Sequence, residues 1–154
     1  MTDTGLNAAA ASLRTWLNAQ RFLDLSAHEV TAFLTASIGS WGEGLDYIVC
    51  TEVPMPPDAV SPEGRGGMVD LQLRHYSGRG RPISIEIDRG NKRLSLNKLV
   101  RLADRGHIAL WVRWSHQAVP VQIPPSVRLI RAHVIRRRDI ARTYRFSLQT
   151  DSCG

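Results

Sequence analysis

Three carboxylates carry the chemistry this sequence could do. Met68 to Arg74 and Ile83 to Arg89 both alternate with period two, so Val69, Leu71 and Leu73 share one face, as do Ile83, Ile85 and Ile87. The linker HYSGRGRP between them suits a hairpin. A turn centred near Gly78 sets Asp70 opposite Glu86 and Gln72 opposite Ser84. Directly opposed side chains on one face sit with Cβ atoms ~4.5–5.5 Å apart, where like charges repel, so something must offset the pair. Asp88, two residues beyond Glu86, points the same way and adds a third acidic group.

Three oxygen donors on a rigid strand pair make a hard-cation site, suited to Mg²⁺ or Mn²⁺. Such an ion lowers the pKa of a bound water and neutralises charge on a phosphoryl group, which is the work of phosphodiester hydrolysis. The competing reading is the wet face of an antiparallel sheet, where Asp, Glu, Ser and Gln are all at home. Against it, these three are half of the six acidic residues found after residue 64. Arg89, Lys92 and Arg93 follow directly, and Lys98 is placed in the first turn of the next helix, an end that favours anions. From there Lys98 can reach back to hold an attacking water or a scissile phosphate. The chain has two lysines and 18 arginines, which makes this one conspicuous.

Other chemistries are weaker. The histidines at 28, 75, 107, 116 and 133 have no HxH or HExxH spacing. Ser115-His116 lacks a GxSxG elbow, and GRGG and GRGRP lack the spacing of a phosphate cradle. Cys50 and Cys153 form neither a disulfide framework nor a zinc motif, as expected in a reducing cytoplasm. Trp111, Trp114 and Tyr76 could stack on unpaired bases, although strand aromatics are more often core.

The elements that must position these groups can be read from periodicity. Residues about 7–20 form a first amphipathic helix through Leu13, Trp16 and Leu17. Ser26 and Glu29 make a capping box for a second, with a stripe of Val30, Phe33, Leu34 and Ile38, ended by Gly39 to Gly44. Tyr47 to Val53 is a strand, and Pro56 to Gly67 a long loop. After the hairpin, Leu96, Leu99, Val100 and Ala103 mark a helix capped by Ser95 and stopped by Gly106. His107 to Trp114 is then a strand parallel to Ile83 to Arg89, since a strand, helix, strand order of this length is a crossover. Pro120, Pro124 and Pro125 mark a connector, Val127 to Ile135 an edge strand, and Arg136, Arg137 and Arg138 open a basic tail.

A length of 154 residues fits one domain, and 43% hydrophobic with 22% charged residues is ordinary for a folded chain. The start, MTDTGLNAAAASL, has Asp3 where a secretory signal has Lys or Arg, and no apolar run reaches the ~18 residues of a membrane span. The net charge of +6 is uneven: residues 1–64 carry −6 and residues 65–154 carry +12. That polarity points to a polyanionic partner, nucleic acid first and an anionic surface second.

These residues resemble the PD-(D/E)XK nuclease superfamily, whose common core is a helix, three strands, a helix and a further strand, the order read here over residues 26–114. Asp70 in Met-Val-Asp-Leu stands where the family has its first acidic residue, and Glu86 in Ile-Glu-Ile-Asp where it has its second. IEIDRGNKRLSLNKL followed by ALWVRW is similar to small actinobacterial and phage members of the superfamily, some of them competence-protein-like. Where the family usually has lysine two residues after the second acid, this chain has Asp88; some members carry an acidic residue there, and others move the lysine to the next helix, where Lys98 stands. The substitution also occurs in members that have lost cleavage. A helix glutamate sometimes joins such sites, and Glu43 and Glu29 are the candidates, the latter already having a capping role.

The expectation is therefore an α/β chain with a restriction-endonuclease-like core, a mixed central sheet flanked by helices (αβββαβ), in one domain with a C-terminal basic extension at 115–154. Its expected function is Mg²⁺- or Mn²⁺-dependent hydrolysis of phosphodiester bonds in DNA. Asp70, Glu86 and Asp88 would hold metal, Asp88 could double as general base, and Lys98 would orient water or phosphate. Arg89, Lys92, Arg93, Arg136, Arg137 and Arg138 would bind backbone phosphates. The alternative is a cleavage-incompetent module that binds nucleic acid or a protein, and a third reading is an RNA-cutting toxin. A homodimer would suit cutting of both strands, although no sequence feature establishes one.

Overall fold

Asp3 caps the first helix, α1 (Thr4–Asn18), by accepting the Leu6 N–H at 2.9 Å, and the same carboxylate pairs with Arg81 at 2.9 Å. The computed structural model describes residues 3–56, 67–114, 122–138 and 144–148. The loop expected over Pro56 to Gly67 and the connector at Pro120 fall largely outside them. A short strand, β1 (Phe22–Leu25), which the periodicity did not announce, leads to α2 (Ala27–Gly44). The Ser26–Glu29 capping box is formed. The helix ends at the last glycine of the expected stretch, Gly44, while Gly39 and Gly42 lie inside it. A Cβ on Gly42 would lie 2.2 Å from Leu73 Cδ2, so glycine here lets the helix press against the sheet.

The strands β2 (Tyr47–Pro54), β3 (Met68–His75) and β4 (Ile83–Asp88) run antiparallel to one another in that order. Helix α3 (Arg93–Asp104) then returns the chain to β5 (Ile108–Arg113), parallel to β4, and β6 (Val127–Arg131) lies parallel beyond it. The result is a five-stranded mixed sheet, β2-β3-β4-β5-β6, in an α/β chain. No helix among the described residues is long and apolar enough to cross a membrane.

Alternation assigns the helices to opposite faces. Ile83, Ile85, Ile87, Leu110 and Val112 belong to one core with Leu13, Leu17, Leu34 and Ile38 of α1 and α2. Ala109 and Trp111 pack on the other face with Leu96 and Leu99 of α3.

Two sequence readings of α3 are corrected. Ser95 is not its cap: the helix begins at Arg93 after Lys92, and Ser95 is buried inside it. Lys98 therefore sits in the second turn. Gly106, at φ +92°, does stop the helix.

The expected edge strand from Val127 to Ile135 is broken in two. Ala132 and Val134 turn into the α1/α2 core, and the chain continues as β7 (Ile135–Arg138). With β8 (Tyr144–Leu148) and β1 this forms a second sheet, β1-β8-β7. The basic tail is thus strand over its described residues, and Phe146 and Leu148 are part of the main core.

Candidate active site

At the end of the hairpin the ladder between β3 and β4 opens. Its backbone register is Leu71↔Ile85, Gln72↔Ser84 and Leu73↔Ile83, the alignment the turn at Gly78 implies. One step further, side chains replace the ladder. The Asp70 N–H donates to Glu86 Oε2 at 3.0 Å, and Asp70 Oδ2 accepts the Ile87 N–H at 2.8 Å. Alternation fails here too. Leu71 and Leu73 face α1 and α2, but Val69, expected beside them, packs with Met55 and with Leu102 of α3. Across from Asp70 on β2, Glu52 has a left-handed backbone at φ +49°. The two carboxylates thus meet at a strand fork, where Asp70 also keeps its neighbouring main chain satisfied.

Glu86 is buried, with 1% of its side chain exposed, and Lys98 reaches it from α3. The Lys98 ammonium forms an ion pair with Glu86 Oε1 and donates to the Met68 carbonyl at 2.7 Å, while Oε1 itself receives no directed hydrogen bond. Burial pushes the Glu86 carboxyl up to about 8, helped by the Asp70 carboxyl beside it and opposed by Lys98. Two adjacent carboxylates are part of the donor set a hard divalent ion takes, with water or substrate oxygens completing it. Asp70 and Glu86 are the residues that could hold such an ion.

Asp88 stands apart from that pair. Its Oδ2 accepts the Trp111 indole N–H at 2.8 Å, and its strand register partner is Arg113. Arg113 is fully buried, donates to the Gly90 carbonyl at 3.1 Å, and lies 5.6 Å from the Trp111 ring centre. Burial, and after it the Arg131 charge, lower the Arg113 pKa, and the Asp88 charge opposes them. Among the described residues no three His, Cys, Asp or Glu side chains gather closely enough to hold an ion, so the three-carboxylate arrangement reduces to two.

The polar row continues away from the fork. Arg74 donates to Gln72 Oε1 at 3.3 Å, Gln72 to Ser84 Oγ at 3.4 Å, and Ser84 Oγ meets His107 Nδ1 at 2.8 Å. Burial first, and then the charges of Arg74, Arg105 and Arg81, lower the His107 pKa. The buried Gln72, Ser84 and His107 side chains are thus partnered by one another.

No family model, curated protein or solved structure matches this chain. The site therefore has to be read from its own geometry.

The remaining candidates divide. Lys92 and Arg93 are exposed at the start of α3, whose first turn holds no acidic residue. Arg89 lies over the Trp114 and Phe146 rings, 5.6 and 5.0 Å from their centres. Arg136, Arg137 and Arg138 lie exposed along β7, where Arg137 pairs with Asp24 at 2.8 Å. Glu29 is held in its capping box, and Glu43 lies exposed on α2, on the face of the sheet away from α3. Trp111 and Trp114 are buried, which removes them as base-stacking surfaces; Tyr76 is 80% exposed.

Sequence reasoning missed Trp111 as the partner of Asp88, the Met68 carbonyl as the anchor of Lys98, and buried Arg113. Strand numbering could have found the first and the last, because parallel β4 and β5 set Glu86 against Trp111 and Asp88 against Arg113. The Met68 contact has no sequence signal.

Proposed function

We propose that this chain is a divalent-metal-dependent nuclease of the PD-(D/E)XK type, hydrolysing phosphodiester bonds in DNA. The observation that carries the reading is the meeting of Asp70 and Glu86 at the β3–β4 fork with Lys98 brought against them from the next helix. The order α2, β2, β3, β4, α3, β5, antiparallel at first and parallel across the helix, supports a restriction-endonuclease-like core.

In this reading Asp70 and Glu86 hold Mg²⁺ or Mn²⁺, and Asp88 is left to orient Trp111 and offset Arg113. The ion would supply an activated water and neutralise charge on the phosphoryl group. Lys98 is about one-fifth exposed, so its ammonium can serve Glu86 while donating to a water or a phosphate oxygen. Its anchor on Met68 fixes it to the strand that carries Asp70. Lys92 and Arg93 flank the approach and would bind phosphates without reading bases.

A crystal soaked in Mn²⁺ tests this reading, with anomalous density expected between Asp70 and Glu86. A cleavage assay with DNA and RNA substrates should show a Mg²⁺-dependent cut of DNA that Asp70→Asn abolishes. A cleavage-incompetent binder is favoured by one observation, that Asp88 at the family's lysine position is engaged with Trp111. It would bind nucleic acid in chelator, be indifferent to Asp70→Asn, and show no metal density.

A further inference from the structure

The small sheet has two faces in opposite electrostatic settings. Arg137 and Arg145 are register partners on β7 and β8, two like charges face to face. Each has a carboxylate from elsewhere in the fold: Arg137 lies 2.8 Å from Asp24 and Arg145 3.8 Å from Glu29. Arg136 and Arg138 alternate onto the other face, with Phe146 and Tyr144 as their partners. There the Arg136 guanidinium meets a ring. Arg136 lies 4.5 Å from the centre of Tyr144, and Arg89 lies over Phe146 and Trp114. Among the described residues no carboxylate pairs with Arg89, Arg136 or Arg138.

A guanidinium laid on a ring is held in place while its N–H edges remain available for hydrogen bonds. Guanidinium groups in a row, with no carboxylate among the described residues against them, suit a chain of phosphates. Arg136 and Arg138 stand two residues apart on a strand, ~6.6–6.8 Å, which matches an extended backbone lying along them. Tyr144 is 43% exposed, leaving ring surface on which a base can stack.

Arg89 joins this row to the fork. It follows Asp88 directly in the chain, yet its side chain packs with Trp114 and Phe146 of the α1/α2 core, whereas Lys98 approaches Glu86 from α3 on the opposite face. A polymer touching both must turn around the end of β4. Duplex DNA, with a persistence length of ~50 nm, resists a bend on the scale of one sheet. A single strand does not.

Resting on the reading of Asp70 and Glu86 as the cleavage site, we infer that Arg89, Arg136 and Arg138, backed by Trp114, Phe146 and Tyr144, form the channel for a single strand of nucleic acid that runs to that site. Arg137 and Arg145, on the neutralised face, hold the sheet together and take no part.

Binding of a labelled deoxythymidine strand, and of the same length as duplex, measured in chelator with the full chain, tests this without relying on cleavage. Single strand should bind at least ~10-fold tighter than duplex. The pair Arg136→Gln with Arg138→Gln should lower single-strand affinity ~10-fold or more and make its salt dependence shallower by ~1.4, two phosphate contacts at ~0.7 each. Arg137→Gln should stay within ~2-fold, because an exposed ion pair contributes little. Tyr144→Leu, which changes no charge, should cost ~5-fold or more through lost stacking. Equal binding of duplex and single strand would overturn the channel, as would a loss from Arg137→Gln matching that of the pair, or an unchanged affinity in both the Gln pair and Tyr144→Leu. Should the Gln pair fail to fold by thermal melt, Tyr144→Leu and the duplex comparison decide. Absence of Mg²⁺-dependent cutting with binding intact would remove the cleavage reading and leave the channel standing.

Discussion

The β3–β4 fork and the β7–β8 sheet both place like charges side by side, and they resolve the conflict in different ways. Asp70 and Glu86 meet where Glu86 is buried, so repulsion and lost hydration fall on protonation, and the Glu86 carboxyl rises to about 8 even with Lys98 against it. Arg137 and Arg145 meet in water, where each takes a carboxylate from a neighbouring element. A buried pair of like charges calls for a cation, whereas an exposed pair of cations is screened and needs only nearby acids. The same juxtaposition is therefore a candidate catalytic device in one place and ordinary surface packing in the other.

The sharpest way to break the contrast is at the fork. Asp70→Asn keeps an acceptor for the Ile87 N–H but removes a charged donor, so Mg²⁺-dependent cleavage should fall by well over the ~10–100-fold that loss of a supporting contact costs. Rates against Mg²⁺ concentration check this, with a melting curve to show that the fold survives.

Next in size is the cost of keeping Glu86 buried. Its folded pKa of about 8 lies above the ordinary glutamate value of 4.5, so between the two the folded chain holds a proton that the unfolded chain releases. That contribution is fully present below about pH 4.5 and is lost as pH rises through about 8. Glu86→Gln should remove the decline, leaving the variant more stable than the parent at pH 8 by ~2–4 kcal/mol and little changed at pH 5. Melting temperatures at the two pH values measure it. Added Mg²⁺ should raise the parent's melting temperature at pH 8 and leave that of Glu86→Gln unmoved.

Asp88→Asn tests whether the third carboxylate belongs with the pair or with Trp111. It weakens a hydrogen bond to the indole and a counter-charge for Arg113, so denaturant unfolding should show a loss of ~1–2 kcal/mol. Its Mg²⁺ dependence should match the parent's. The smallest effect is expected on the other side of the comparison: Arg137→Ala breaks an exposed ion pair with Asp24 and should cost no more than ~0.5 kcal/mol in the same titration.

Much of this arrangement was legible from residue types and spacing, because period-two alternation and a turn position fix which strand residues face each other. The pairing of Gln72 with Ser84 followed from the turn at Gly78, and the parallel relation of β4 and β5 followed from the intervening helix. Local pattern failed where packing overrode propensity. Gly42 sits inside a helix because Leu73 lies against it, and Ser95 is buried instead of capping. Val69 left its expected face where side chains took over the ladder.

The sequence by itself determined the order of elements from α2 to β5, the hairpin register and the grouping of acids and arginines, all of which rest on neighbours close in the chain. Only the tertiary structure decided that Asp88 serves Trp111, that Lys98 is tied to Met68, and that Arg136 and Arg137 lie in opposite settings. Those outcomes depend on contacts between elements, such as Asp88 with Trp111, 23 residues apart, and Asp24 with Arg137, 113 apart, and on which groups lose their water. Spacing along a chain can order the partners on neighbouring strands, but it fixes neither which diagonal contact forms nor which groups are buried.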